Sequence, residues 1–263
     1  MKTYSLDPAH DPVEGMVGME VLEQFDVDFD FPAGRLRLWK PHTVESVAKK
    51  AGLATVEAVV VNETLLLGFR IVSSSAQKDD AGGIAAQPFL GVVDCGASFS
   101  VVNWAAASLL GLPPKNDASW KKSPAVTGMG VDGRPQLLPT KSIGLSYVGN
   151  PKSRTNMSFE GPPSDFKPWD QVQMAVGVST FVVCMLCHII IISCHLLCIM
   201  LLLQSKKTNA NAQDLPVFSQ LLGDGRTPYK GPAGIVGLDI LTQRRLILET
   251  SATRQRRIYV GKK

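Results

Sequence analysis

Apolar and polar positions follow two rhythms along this chain. Phe89, Leu90, Val92 and Val93 form an apolar run bounded by turn residues, the pattern of a buried strand. Upstream, "ATVEAVVVN" (54–62) and "TLLLGFRIV" (64–72) read as a strand pair joined around Asn62 and Glu63. The polar, glycine-ended "SSSAQKDDAGG" then predicts a loop. Beyond the 89–93 run, Asn103 stands where it would cap a short helix, "WAAASLLG", which Gly111 and Pro113 end. In "VTGMGVDGRPQLL" the pair Asp132-Gly133 is a hairpin signal, and "KSIGLSYVG" reads as a further strand. The pattern predicts an all-β chain with short helices.

An internal repeat organises the two ends. "GMVGMEVLEQFDVDFDFPAGRLRLW" starts at Gly15, and "GIVGLDILTQRRLILETSATRQRRIYV" starts at Gly234. Without gaps, Gly15 meets Gly234, Val17 meets Val236, Gly18 meets Gly237, Glu20 meets Asp239, Leu22 meets Leu241 and Gln24 meets Gln243. After a slip of three residues, Arg35–Leu38 meets Arg257–Val260. Each copy predicts an apolar strand, a glycine, a short helical turn and then two strands joined by a turn. In the first copy Asp26, Asp28 and Asp30 alternate with apolar residues, which predicts a solvent-facing acidic row.

Composition narrows the class without choosing a function. A chain of 263 residues that is 45% hydrophobic has enough apolar side chain for one large domain or two small ones. Its net charge of +4 is modest. The basic residues near the end (Arg244, Arg245, Arg254, Arg256, Arg257, Lys262 and Lys263) lack interleaved aromatics, so a solvated strand edge is expected and no nucleic-acid partner. The opening "MKTYSLDPAHDPVEG" has no apolar core of a signal peptide.

Residues 174–203 form an uncharged apolar stretch, with Lys206 and Lys207 just beyond it. Its length suits a membrane span, which would place the protein at a membrane. A second reading is a retained intron over codons 178–213, because "DQVQMAVG" then runs directly into "DLPVFSQLLGDG" and the frame is kept. We favour the second. Four of the five cysteines (Cys184, Cys187, Cys194 and Cys198) and His188 and His195 fall here, with no carboxylate to orient them, so no metal site is expected.

One carboxylate stands out. Asp94 closes the apolar 89–93 run, where an unpaired charge is costly. It is either a turn aspartate that caps its own loop or a catalytic carboxylate. The order Asp94-Cys95-Gly96-Ala97-Ser98, then Gly128-Met129-Gly130, then Ile235-Val236-Gly237 resembles a retropepsin-like aspartic protease lobe over about residues 46–263. Residues 1–45 resemble the tail of a preceding lobe.

The resemblance implies an acid-protease fold, a closed β lobe of about six strands with a psi-shaped active-site loop. It implies an aspartic endopeptidase with Asp94 as catalytic carboxylate. Cys95 to Ser98 would form the active-site loop, Gly128 to Gly130 part of a flap, and Ile235 to Gly237 the loop's support. It implies no cofactor and a peptide or protein substrate. Two features depart from the family. Cys95 stands where Thr or Ser is usual, and only one Asp-x-Gly-[Ala/Ser] is present. A second lobe, from upstream sequence or a homodimer mate, would have to supply the other carboxylate. The alternative is an inactive peptide- or protein-binding module, anchored to a membrane if 174–203 is expressed.

Overall fold

The computed structural model describes residues 19–61, 66–76, 78, 83–129, 135–152, 158–177, 218, 222, 229–250 and 256–262. In chain order the elements are α1 (Met19–Leu22), β1 (Asp26–Asp30), β2 (Arg35–Trp39), α2 (Val44–Lys50), β3 (Ala54–Glu57), β4 (Val59–Val60) and β5 (Leu67–Ser73). Next come β6 (Ile84–Ala85), β7 (Phe89–Val93), β8 (Val101–Val102), α3 (Trp104–Leu109), β9 (Ala125–Met129) and β10 (Pro135–Val148). The remainder is β11 (Ser158–Phe159), β12 (Trp169–Val176), β13 (Ala233–Val236), α4 (Leu238–Leu241), β14 (Arg245–Leu248) and β15 (Arg257–Val260). The chain is all-β with short helices.

Two sheets carry the architecture. In the larger, β5-β7-β13-β8-β12-β10 are paired in that order, and β10 pairs back onto β5. The six strands therefore close a ring, which leaves no open edge among them. Strands β4 and β9 extend it from β5 and β10. Aromatic side chains fill the interior: Phe166 stands edge-on to both Tyr147 and Trp169, and Trp169 stacks on Phe69. The second sheet has five strands in the order β2-β1-β14-β15-β3. Helix α2 covers one of its faces, where Val44 and Ala48 pack on Ile247 and Tyr259.

Several sequence expectations change. The 54–62 run is not one strand. It splits at Ala58, so that β3 joins β15 in the five-stranded sheet while β4 pairs with β5 in the ring. Each half finds a different partner, and no local signal marks that division. Conversely, "PQLL" and "KSIGLSYV" fuse into one 14-residue strand, β10, with an irregularity between Ile143 and Leu145. That length lets β10 serve β9, β12 and β5 along its course. The apolar stretch also starts inside the lobe. Met174, Ala175 and Val176 are the buried end of β12. Residues 178–203, with Cys184, Cys187, His188, Cys194, His195 and Cys198, lie outside the described residues. No helix among the described residues is long and apolar enough to cross a membrane.

The basic cluster near the end is not a solvated edge. Arg244 is buried, donates to the carbonyls of Lys167, Pro168 and Gly261, and stacks over Phe166 and Trp169. Arg256 is buried as well, and Arg257 pairs with Glu249 and Glu45. Lys262 pairs with Asp165. Arg254 and Lys263 lie outside the described residues.

The two repeat copies lie side by side in the five-stranded sheet. Strand β1 pairs antiparallel with β14, and Asp28 opposes Ile247. The alignment that places Gly15 on Gly234 also places Asp28 on Ile247, Val27 on Leu246 and Phe29 on Leu248. In the ladder Val27 opposes Leu248 and Phe29 opposes Leu246. Each residue thus faces its own counterpart or that counterpart's mirror position, the signature of a local pseudo-two-fold axis between the strands. The hairpins agree: Arg37 opposes Asp28, and its counterpart Tyr259 opposes Ile247.

Candidate active-site loop

Strand β7 delivers Asp94, and the ring fixes the path of the 94–100 loop. Parallel to β7 runs β13, which also pairs antiparallel with β8, so β13 threads between the strands on either side of that loop. This is a psi-shaped arrangement. The Asp94 amide donates to the Val236 carbonyl at 3.0 Å, and the Leu238 amide donates to the Ala97 carbonyl at 2.7 Å. The loop is clamped at both ends by the segment Val236-Gly237-Leu238.

Glycine is required at position 237 by space. A Cβ there would stand 2.7–2.8 Å from the backbone of Phe99 and Ala97. The same close approach lets the Gly237 amide donate to Ser100 Oγ at 2.9 Å, and Ser100 Oγ donates to Asp239 Oδ1 at 2.6 Å. Ser100 is fully buried, so this short chain of bonds ties the loop to α4 in a dry setting. Asn103 makes a second tie. Its Oδ1 accepts from Ala106, capping α3, and from Ala233 at the start of β13, while its Nδ2 donates to Gly231.

Asp94 itself is 3% exposed, and its Oδ1 accepts from the Gly96 amide at 2.9 Å. Cys95 is half-buried, Ala97 buried and Ser98 exposed. Burial, and after it the charge of the adjacent Asp94, pushes the Cys95 thiol up to about 12. Cys95 is therefore a protonated, weak donor rather than a nucleophile at neutral pH. It borders a small, largely enclosed apolar cavity with Val93, Leu22, Phe29 and Leu248. Phe29 and Leu248, counterparts in the repeat, both line this cavity.

The sequence-named residues come together in part. Asp94 to Ser98 and Ile235 to Gly237 form one constellation. The backbone of Gly128 and Met129 is the end of β9, opposite Gln136 and Pro135. Gly130 lies outside the described residues. At the base of this hairpin, Val126 and Leu138 share an apolar cluster with Ala97 and Ile235, so the β9–β10 hairpin rises beside the Asp94 loop. Ser100 was not foreseen as part of the site. The recurrent acid of the repeat, Asp239 aligned with Glu20, was the available signal, since Asp239 is the group that holds Ser100.

The acidic row needs correction. Asp26 and Asp28 are fully buried, and only Asp30 is partly exposed. Asp28 accepts from both Nε and Nη2 of Arg245, from Arg37 and from the Trp39 indole. Arg37 also bonds Asp30, and the His42 amide donates to Asp26. Arg245 comes from the other repeat copy, too distant in sequence for the alternation to reveal.

Among the described residues there is no group of three or more His, Cys, Asp or Glu side chains that could hold a metal ion. No protein-family model, curated protein or solved structure matches the chain.

Proposed function

We propose that residues 46–263 are one lobe of a retropepsin-like aspartic endopeptidase and that Asp94 is its catalytic carboxylate. The observation that carries this reading is the construction around Asp94. A buried carboxylate stands at the end of a central strand, in a loop clamped by a parallel strand and a glycine that admits no side chain. A turn aspartate that merely caps its loop needs the Gly96 bond alone; it does not need the clamp.

The chemistry requires a second carboxylate related to Asp94 by the pseudo-two-fold axis of the repeat. Two carboxyl groups in close contact cannot both ionise, so they share one proton. The charged member takes a proton from a water held between them as that water attacks the peptide carbonyl. The protonated member donates to the carbonyl oxygen, and the resulting tetrahedral adduct collapses with a proton passed to the leaving nitrogen. Residues 1–45, which carry the other repeat copy, are in this reading the tail of the lobe that provides the second carboxylate.

A peptide-cleavage assay at mildly acidic pH tests the reading, with the chain joined to its second lobe and a statine-type inhibitor as control. Activity that the inhibitor blocks and Asp94→Asn abolishes is expected. Hydrolysis that persists in Asp94→Asn overturns it. The presence of a single Asp-x-Gly-[Ala/Ser] in the sequence favours a second reading, a peptide-binding lobe without hydrolysis. Peptide binding with no turnover in any two-lobed form would select that one.

A further inference from the structure

The connection from β12 to β13 is the longest in the lobe, and the ring fixes how far it must reach. Both strands flank β8: Val176, the last residue of β12, pairs with Val102, and Gly234 in β13 pairs with the same Val102 from the other side. The two strand ends therefore stand two strand spacings apart, about 10 Å. Strand β12 is complete where it stops, because the Gly177 amide donates to the Val102 carbonyl at 3.3 Å and the Ala175 amide to that of Ser100 at 3.1 Å.

The chain leaves and rejoins the lobe at one apolar cluster. A Cβ at Gly177 would lie 3.2 Å from Leu138. Phe218, fully buried, packs in the cluster that holds Leu138, Ala175, Val101 and Ala97, and Leu222 and Tyr229 lie against it. Residues 214–232 alone would cover the gap between the strand ends several times over, at about 3.3 Å per residue. Every strand of the ring and of the five-stranded sheet lies outside 178–213.

We infer that residues 178–213 are a separable insertion: the lobe closes its ring and clamps its Asp94 loop in a chain that lacks them. Phe218, which shares a cluster with Ala97 of that loop, lies beyond the insertion, so the support of the loop is kept. An insertion into a connection whose ends are already close costs the fold little, since closure entropy rises slowly with length. Two forms of the protein, with and without the stretch, then carry the same site. The inference stands on strand pairing and packing, and it holds whether or not Asp94 is catalytic.

The test uses the full chain in detergent micelles, with a specific protease site placed before Val178 and another after Gln213. After cleavage, residues 1–177 and 214–263 are expected to stay together on gel filtration and to unfold in one transition within about 3 °C of the uncut chain. Hydrogen exchange across 94–100 and 233–237, read by mass spectrometry, should stay within twofold. Separation of the two pieces, loss of the transition, or exchange at least tenfold faster in either segment overturns the inference. Two deletion variants test folding from the start, one joining Gly177 to Asp214 and one with a Gly-Ser linker in place of 178–213. Refolding of either from denaturant to the exchange pattern of the full chain is expected, and failure of both overturns the inference. A linker variant that folds but hydrolyses no peptide in two-lobed form upholds this inference and tells only against the catalytic reading.

Discussion

Asp28 and Arg245 join the two halves of the repeat: Nη2 of Arg245 lies 2.7 Å from Oδ2 of Asp28, and Nε lies 2.9 Å from Oδ1. The carboxylate is fully buried and the guanidinium partly so. The fork geometry of arginine suits a carboxylate presented by the neighbouring strand, which lysine could not match with two bonds. This pair adds a side-chain tie to the backbone ladder between β1 and β14.

Burial alone would raise the Asp28 carboxyl. The hydrogen bonds of Arg245 and Trp39, with the charges of Arg245 and Arg37, outweigh it and hold the group below its ordinary 3.8. A depressed value in the folded state gives stability that is present above the unfolded value and lost as pH falls through the folded one. Asp28→Asn should therefore cost about 1–3 kcal/mol at neutral pH, with the difference from wild type shrinking below pH 3.8. Denaturant titrations at pH 7, 5, 4 and 3 check this. A difference that stays constant down to pH 3 would contradict it.

Gly237→Ala should lower stability by about 2–4 kcal/mol, because the new methyl meets backbone that cannot rotate away. Thermal unfolding measures the loss. A variant as stable as wild type would show that the 97–99 loop yields freely.

Ser100 and Asp239 should separate by magnitude. Ser100→Ala leaves the buried Gly237 amide without its acceptor and should cost about 1–3 kcal/mol. Asp239→Asn keeps an oxygen facing Ser100 and should cost less. Equal losses in chemical denaturation would mean that the charge of Asp239, rather than the bond chain, holds the loop.

Cys95 should resist alkylation. With its thiol at about 12 against an ordinary 9.0, its thiolate fraction near pH 7 is about a thousandfold below that of a free cysteine. Peptide-level mass spectrometry after iodoacetamide treatment reads the rate. Asp94→Asn should speed it, since one of the two causes of the shift is then removed. Rapid labelling of Cys95 in the wild-type chain would refute the burial.

The sequence by itself determined whatever depends on near neighbours. The 89–93 run became β7, because a short apolar run with β-branched residues between turn residues favours a buried strand. Asn103 capped α3, because its side chain reaches the Ala106 amide within one turn. Over β1–β2 and β14–β15 the repeat was legible in the sequence, including its three-residue slip, which the ladder positions of Arg37 and Tyr259 reproduce; Gly15, Val17 and Gly18 lie outside the described residues.

Only the tertiary structure decided matters that join distant segments. Alternation placed Asp26, Asp28 and Asp30 on one face but could not tell that Arg245 would meet that face, so a row expected in solvent proved largely internal. Arg244 was drawn inward by carbonyls at 167, 168 and 261 and by two aromatic rings, none of them near it in sequence except Gly261. The 54–62 run divided because each half pairs with a different sheet. The physical reason is common to all three: periodicity reports which side of an element leaves water, while long-range pairing decides what that side meets.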